Sequence, residues 1–356
     1  MKHKLALISI YSVCHFVVDF VCAIFMLGNI PFIAQSESEF VISLIIYNFF
    51  AFAFQVPLGL VLDKLKIYKY VAIIGLSLIG ICYLININNP YILAIIVGIG
   101  NALFHLEGGV NIYSVSERKA FLNGLFVAPG ALGIFLGTTF HNELIITYLP
   151  IILIFTSIFL LFFVQKKEEV ILNLEKNMKI NMKNDISKLS AFLIVALIGV
   201  SIIVRSIGGS AIVYTWKEGF ILGLIYTLAV VIGKAFGGLI ADKFGFIKVA
   251  LISLLGSTVC LILGYNIHFF AYIGILLFNI PMSITLTLLE NTLTKKIACA
   301  VGLNTFFLFI GYLVCFIDIT INNNFILLGS ILVAMLSIYL SYKLYLKGGN
   351  KYVEKI

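Results

Sequence analysis

Apolar residues run along this chain in blocks of about twenty. Short polar stretches part them: QSESE at 35–39, NINNP at 86–90, HNEL at 141–144, TWKEG at 215–219 and INNN at 321–324. Roughly 20 apolar residues carry an α-helix across a bilayer, so each block predicts a membrane span. Twelve are expected, over 5–30, 40–62, 70–88, 91–113, 120–140, 147–165, 189–213, 219–240, 249–266, 268–291, 299–317 and 324–345. One separator is long and charged, QKKEEVILNLEKNMKINMKNDISK at 165–188, and it divides six spans from six. The pattern predicts an all-α membrane protein of twelve transmembrane helices in two six-helix halves. These are residues 1–165 and 189–356, the second with a short tail, joined by a central loop at 166–188. The alternating segments of about 10 residues that build a membrane β-barrel are absent. The first apolar run, Leu5 to Ile30, is too long for a signal-peptide core and is expected to stay as a span.

Composition sharpens this picture. The chain is 62% hydrophobic and 11% charged, which excludes a water-soluble domain of its 356 residues. Its net charge of +8 raises the question of a nucleic-acid partner, and the placement of the charges answers it. Of the 24 Lys and Arg residues, Arg205 and Lys234 fall inside expected spans and Lys217 in an odd-numbered loop. All the others lie in the N-terminus, the even-numbered loops or the C-terminus, with Lys343 in the last turn of the twelfth expected span counted with the C-terminus. Positively charged loops stay in the cytoplasm. The alternation therefore predicts a multi-pass cell-membrane protein with both termini and the central loop cytoplasmic, and no nucleic-acid partner. The six cysteines, Cys14, Cys22, Cys82, Cys260, Cys299 and Cys315, lie in apolar segments and form no CxxC pair. Neither a disulfide framework nor a metal site is expected from them.

The two halves echo each other. GLVLDK at 59–64 recurs as GLIADK at 238–243, an offset of 179 residues, and both copies end the second span of their half. Parallel repeats related by an axis along the membrane normal are a transporter architecture, with the substrate site between the halves. On these residues the chain resembles the major facilitator superfamily over essentially its whole length. That superfamily carries a Gly-x-x-x-Asp-Arg/Lys-x-Gly-Arg-type signature after its second helix and an echo after its eighth. Gly59, Asp63 and Lys64 match the first copy, with Lys66 where the signature has Gly. Gly238, Asp242, Lys243 and Gly245 match the second. A carboxylate at such a turn accepts from exposed helix N–H groups and pairs with basic side chains. A contact of that kind made in one conformation alone biases alternating access. The run GIGNALFHLEGG at 98–109, followed by SERKAF and the Gly-rich GLFVAPGALGIFLG at 124–137, is further similar to the fosmidomycin-resistance branch. The resemblance extends to a His and an Asp one turn apart in the first helix, as in HFVVD here, although Ala128-Pro129-Gly130 stands where that branch often has Gly-Gly-Asn. It implies a monomeric proton-coupled exporter with a small-molecule substrate.

Ionisable groups inside a bilayer cost at least ~2.5–3.5 kcal/mol on insertion scales and mark functional sites. His15 and Asp19 are four residues apart and share a face of the first span, with Tyr11 on the same stripe. Asp19, tuned by His15, is the expected proton-coupling carboxylate, with a structural clasp as the alternative. In the fourth span Asn101 and His105 form one stripe, and Glu107 and Asn111 another. One stripe is expected to face a cavity and the other a neighbouring helix, so His105 and Glu107 are both proton-coupling candidates. Arg205 is expected to pair with Asp19, to bind an anionic substrate, or to reach the outer surface. Lys234 aligns with Gln55 in the repeat, and with Arg205 and Asn101 these two are the substrate-cavity candidates. Glu290, five residues before Lys295, is expected in an interfacial ion pair, and Asp318 in water at the outer end of the eleventh span. Gly130, Gly133 and Gly137 in the fifth span allow backbones to touch.

No GxxxxGK[ST] loop is present, which excludes ATP hydrolysis by that route. No metal cluster or nucleophile–base pair with diagnostic spacing is apparent, so neither a cofactor nor enzymatic activity is expected. The reading is a secondary transporter, with a small molecule, protons and the lipid bilayer as its expected partners. Proton-coupled export leads. Uptake by a symporter or facilitator is the alternative, and a membrane-embedded enzyme or sensor is the remote one.

Overall fold

A computed structural model describes residues 2–85, 87–141, 148–164, 170–176, 186–316 and 323–347. All regular structure among them is helical. In chain order the α-helices are α1 Lys2–Ile24, α2 Ile30–Ile33, α3 Glu37–Asn48, α4 Gln55–Leu65, α5 Val71–Leu84, α6 Pro90–Ser116, α7 Ala120–Phe140 and α8 Leu149–Val164. They continue with α9 at 170–176, then α10 Lys188–Ser210, α11 Phe220–Phe244, α12 Phe246–Leu263, α13 His268–Asn279, α14 Pro281–Thr292, α15 Ile297–Tyr312 and α16 Asn323–Lys347. Ten helical stretches among the described residues are long and apolar enough to cross a bilayer. Two shorter apolar helices, Val71–Leu84 and Leu149–Val164, stand where the third and sixth spans are expected.

Several boundaries depart from the expected ones for local reasons. The third expected span, 70–88, is helical only to Leu84. Ile85 turns extended (φ −110°, ψ 124°) ahead of the Asn89 cap, whose side chain accepts from Ile92 N–H and which precedes Pro90. The eighth, 219–240, continues to Phe244 and stops at Gly245, whose φ of +95° suits glycine. The ninth begins at Phe246 rather than 249. The tenth is interrupted before Pro281, which lacks the N–H an unbroken helix requires. The first and second spans each contain a single π-helical turn, Phe25–Asn29 and Phe49–Ala53. Asp318 lies outside the described residues.

Packing is organised around two large cores. One joins residues from Leu7 to Val164, among them Tyr11, Leu76, Phe104 and Ile154. The other joins Ala120 with residues from Ile194 to Tyr345, among them Leu254, Ile284 and Ile331. A third, smaller cluster bridges α4, α5, α6 and α15 and takes in Val170 and Leu174 of α9, both buried. Part of the 165–188 connection is thus packed against the body. The loop after α10 is closed by Trp216, which stacks on His268 with ring centroids 4.0 Å apart and donates Nε1–H to Gly264 O at 3.1 Å. Beside it Lys217 holds its ammonium 4.3 Å from the Tyr226 ring centroid, and partial burial lowers its pKa.

Candidate functional site

Close backbone crossings join the two cores at the end of the molecule that carries the repeated motifs. A Cβ on Gly59 would lie 2.6 Å from Ala298 O, and one on Gly238 would lie 2.7 Å from Phe121 N, so only glycine admits these approaches. Gly302 meets the Gln55 backbone, and Gly124 meets that of Lys234, in the same paired manner. The motif carboxylates use the proximity. Asp63 accepts from the N–H groups of Ala298 (3.0 Å) and Cys299 (2.9 Å) in the first turn of α15. Asp242 accepts from those of Ala120 (2.8 Å) and Phe121 (2.9 Å) in the first turn of α7. Each carboxylate therefore caps a helix of the opposite core, where the orphan N–H groups and the helix dipole favour negative charge. Tyr68 adds its hydroxyl to Asp63 at 3.0 Å. The motif cations Lys64 and Lys243 are exposed, and the capping rests on backbone N–H groups.

A second cluster lies deeper, where α1, α6 and α7 meet. His15 Nε2 is 3.2 Å from Asp19 Oδ2 and 2.9 Å from His105 Nε2. His105 Nε2 is 3.8 Å from Asp19 Oδ1. Asn101 directs its amide toward Asp19 Oδ1 at 3.5 Å and to Tyr47 OH at 3.3 Å. His15 Nδ1 is held 2.8 Å from Phe126 O, and His105 Nδ1 2.9 Å from Asn101 O. Carbonyl oxygens only accept, so both Nδ1 atoms carry hydrogen and both Nε2 atoms offer lone pairs. Two bare lone pairs repel at 2.9 Å. The contact is satisfied when one cation, in the simplest case a proton, is shared between the rings beside the Asp19 carboxylate. Gly130 makes room for the group, since a Cβ there would strike His15 Nε2 and Asp19. Gly133 and Gly137 lie against the main chain of α1 at Phe16 and Phe20.

Asp19 lines a cavity of about 410 Å³ in the half of the molecule away from the motifs. Its wall joins Tyr47, Phe52 and Thr138 to Ser206, Leu308 and Tyr312. Ser206 and Leu308 also border an adjoining cavity of about 250 Å³ that contains Arg205 and Lys234. Arg205 is buried and donates from Nη2 to Phe278 O at 3.2 Å, while its Nε, also buried, has no hydrogen-bond partner. The guanidinium neither reaches the surface nor pairs with Asp19, whose close partners are the two histidines. Position explains this, because Arg205 points toward α13 and shares a cavity with Lys234.

The remaining candidates separate. His105 and Asn101 form the stripe that meets Asp19, whereas Glu107 turns away from the cavity. It accepts from Tyr11 OH at 2.6 Å and from Ala72 N–H at 2.8 Å, which caps the first turn of α5. Gln55 is fully buried and returns its amide to Ala51 O at 2.6 Å. The expected Glu290–Lys295 ion pair is not formed. Glu290 is fully buried and hydrogen-bonds with Asn123, which also donates to Thr287 Oγ1 at 2.9 Å. α14 ends at Thr292, so Lys295 lies beyond the helix on an exposed turn, while Glu290 faces Asn123 of α7. Sequence reasoning missed Tyr47, Asn123 and Arg118, which joins Asn291 and Tyr345 across the motif end. The available signal was a polar group in or beside an apolar run.

No family model matches the sequence, and no curated protein matches it. Among solved structures the chain is similar to a variant of the Escherichia coli fucose:proton symporter FucP, with a TM-score of 0.62 at 12% identity over 94% of this chain and 98% of that one. It is also similar to a structure of the major facilitator superfamily transporter FucP in the outward conformation, with a TM-score of 0.57 at 13% identity over 93% and 99% of the two chains. The chain has the fold of these transporters.

Proposed function

We propose that this protein is a secondary active transporter of the major facilitator type, an exporter driven by protons whose substrate is a small molecule with an anionic group. The observation that carries the reading is the cavity between the two cores, with Asp19 on one wall and Arg205 and Lys234 in the adjoining space. A cavity lined from both halves at mid-helix is where alternating access needs its substrate. Two cations beside it suit a carboxylate or phosphonate, which a guanidinium grips through two N–H groups. The likeness of residues 98–137 to the fosmidomycin-resistance branch supports export over uptake.

In this reading twelve spans form two six-helix halves, 1–165 and 189–356, and a monomer carries out the cycle. The basic loops and both termini face the cytoplasm, and the cell membrane is the site of action. Capping by Asp63 and Asp242 holds the cytoplasmic end shut while the cavity opens outward. A proton enters from outside and is shared by Asp19, His15 and His105. The halves then rock, the caps part, the proton leaves inside and substrate is taken up for release outside. Glu107 supports the cycle by holding α5 and α6 together. The protein acts as a carrier without a cofactor and transforms no substrate.

The test is fosmidomycin sensitivity of an exporter-depleted bacterial host carrying the wild type or Asp19→Asn at matched membrane levels. Protection by the wild type and its loss in the variant are expected. Equal protection by both removes Asp19 from the mechanism. No protection by either removes the phosphonate substrate. Everted vesicles then test direction, because an exporter accumulates labelled compound in them when the interior is acid and an uptake system does not.

A further inference from the structure

We infer that His15, His105 and Asp19 also form a binding site for a divalent transition-metal ion, with Zn²⁺ as its representative, which takes the place of the shared proton. The three side chains each offer one ligand atom, and these atoms lie within 4.8 Å of one another. The separations are 2.9 Å between the Nε2 atoms, 3.2 Å from His15 Nε2 to Asp19 Oδ2 and 3.8 Å from His105 Nε2 to Asp19 Oδ1. Ligands about 2.0–2.2 Å from a zinc ion stand some 2.9–3.4 Å apart at octahedral to tetrahedral angles; each histidine faces a different oxygen of Asp19 here, and a rotation of the carboxylate would bring one oxygen toward both.

The surroundings are those of a metal site rather than of a chance cluster. A ligating imidazole generally donates its other ring N–H to a carbonyl or carboxylate, which fixes the tautomer and aims the lone pair at the ion. Both histidines do so here, through Phe126 O and Asn101 O. Two imidazoles and one carboxylate suit Zn²⁺, Co²⁺ and Ni²⁺, and discriminate against Mg²⁺ and Ca²⁺, which prefer oxygen. Asp19 borders the larger cavity, so the open positions of a bound ion would face that cavity. Lys234 is the cation whose field reaches Asp19 from α11, and it opposes a dication there. The inference takes the cavity from the transport reading but does not require that protons drive transport.

The experiment is calorimetric titration of the purified, tag-free full chain in detergent with ZnCl₂, repeated with MgCl₂. One Zn²⁺ per chain is expected, with no heat from Mg²⁺. Binding should weaken at least tenfold in Asp19→Asn and His105→Gln and tighten about threefold or more in Lys234→Gln, a gain that misfolding does not produce. Wild-type binding no tighter than that of a His15→Gln/His105→Gln double variant, or no loss in either single variant, overturns the site. Transport is assayed separately with a chelator present. Transport without Zn²⁺ binding overturns this inference alone, and Zn²⁺ binding without transport overturns the transport reading alone.

Discussion

Asp63 and Asp242 stand 179 residues apart and do the same thing in mirrored places. Asp63 caps α15 from α4, and Asp242 caps α7 from α11. Hydrogen bonds to a charged group contribute about 1.5–3 kcal/mol. Asp63→Asn keeps the shape and removes the charge, so the motif end should open roughly ten- to a hundredfold more often. Cys299 is buried at this cap and serves as its own reporter. In a chain whose only cysteine is Cys299, Asp63→Asn should raise maleimide labelling at least tenfold, and an unchanged rate would refute the cap as a latch.

Gly59→Ala acts on the same crossing by volume. The added methyl meets the Ala298 carbonyl, a backbone atom that cannot swing aside. Overpacking of this kind costs about 1–3 kcal/mol. Labelling of Cys299 should rise as in Asp63→Asn, and the Gly238→Ala counterpart should loosen the α7 crossing to a similar degree. A thermal midpoint and labelling rate equal to the wild type in both variants would show that the helices have slack.

Lys66 occupies the left-handed region (φ 52°, ψ 38°) at the end of α4. For a non-glycine residue that conformation costs roughly 1–2 kcal/mol, and glycine gives back about 0.4–1 kcal/mol through the entropy of the unfolded chain. Lys66→Gly should therefore stabilise by up to about 1 kcal/mol. The reverse holds at Gly245, where φ is +95° and ψ is 136° and Gly245→Ala should destabilise. Midpoints of thermal unfolding in one detergent, ordered Lys66→Gly, wild type, Gly245→Ala, check both.

Tyr11→Phe deletes the hydroxyl that Glu107 accepts from at 2.6 Å inside the core. Depriving a buried carboxyl of a donor costs about 1–3 kcal/mol. The thermal midpoint should fall while the pH profile of transport stays put, since Glu107 lies apart from the Asp19 cavity. A shifted pH profile would move Glu107 into the proton path.

Arg205→Gln and Lys234→Gln should each raise KM for an anionic substrate about tenfold or more, with a smaller effect on an uncharged analogue. Initial rates in vesicles over a range of substrate concentrations separate KM from the maximal rate. Equal effects on charged and uncharged compounds would remove the anion from the reading.

The long apolar helices, the repeated motif and the shared face of His15 and Asp19 were legible in the sequence, because each follows from local pattern along the chain. The sequence left open which stripe of the fourth span meets the cavity. Asn101–His105 and Glu107–Asn111 are equivalent on an isolated helix, and only the placement of α1 and α5 distinguishes them. Glu290 was misread for the same reason, since its partner Asn123 is remote in sequence and enters from α7. The direction of Arg205 was likewise set by α13. Local spacing reports the angle of a side chain around its own axis, and the neighbour on that side is a property of the whole bundle.

The contact of α7 with α1 has a consequence of another kind. At Gly130, Gly133 and Gly137 there is no side chain to adjust, and main chain or polar cluster lies directly against each of them. The distances within the His15–Asp19–His105 group are therefore set by how two ribbons of peptide touch, as the tolerance of a bearing is set by its machined faces. Three absent side chains define the site as firmly as the three present ones, and a search for its relatives should look for what is missing at those positions as well as for what is there.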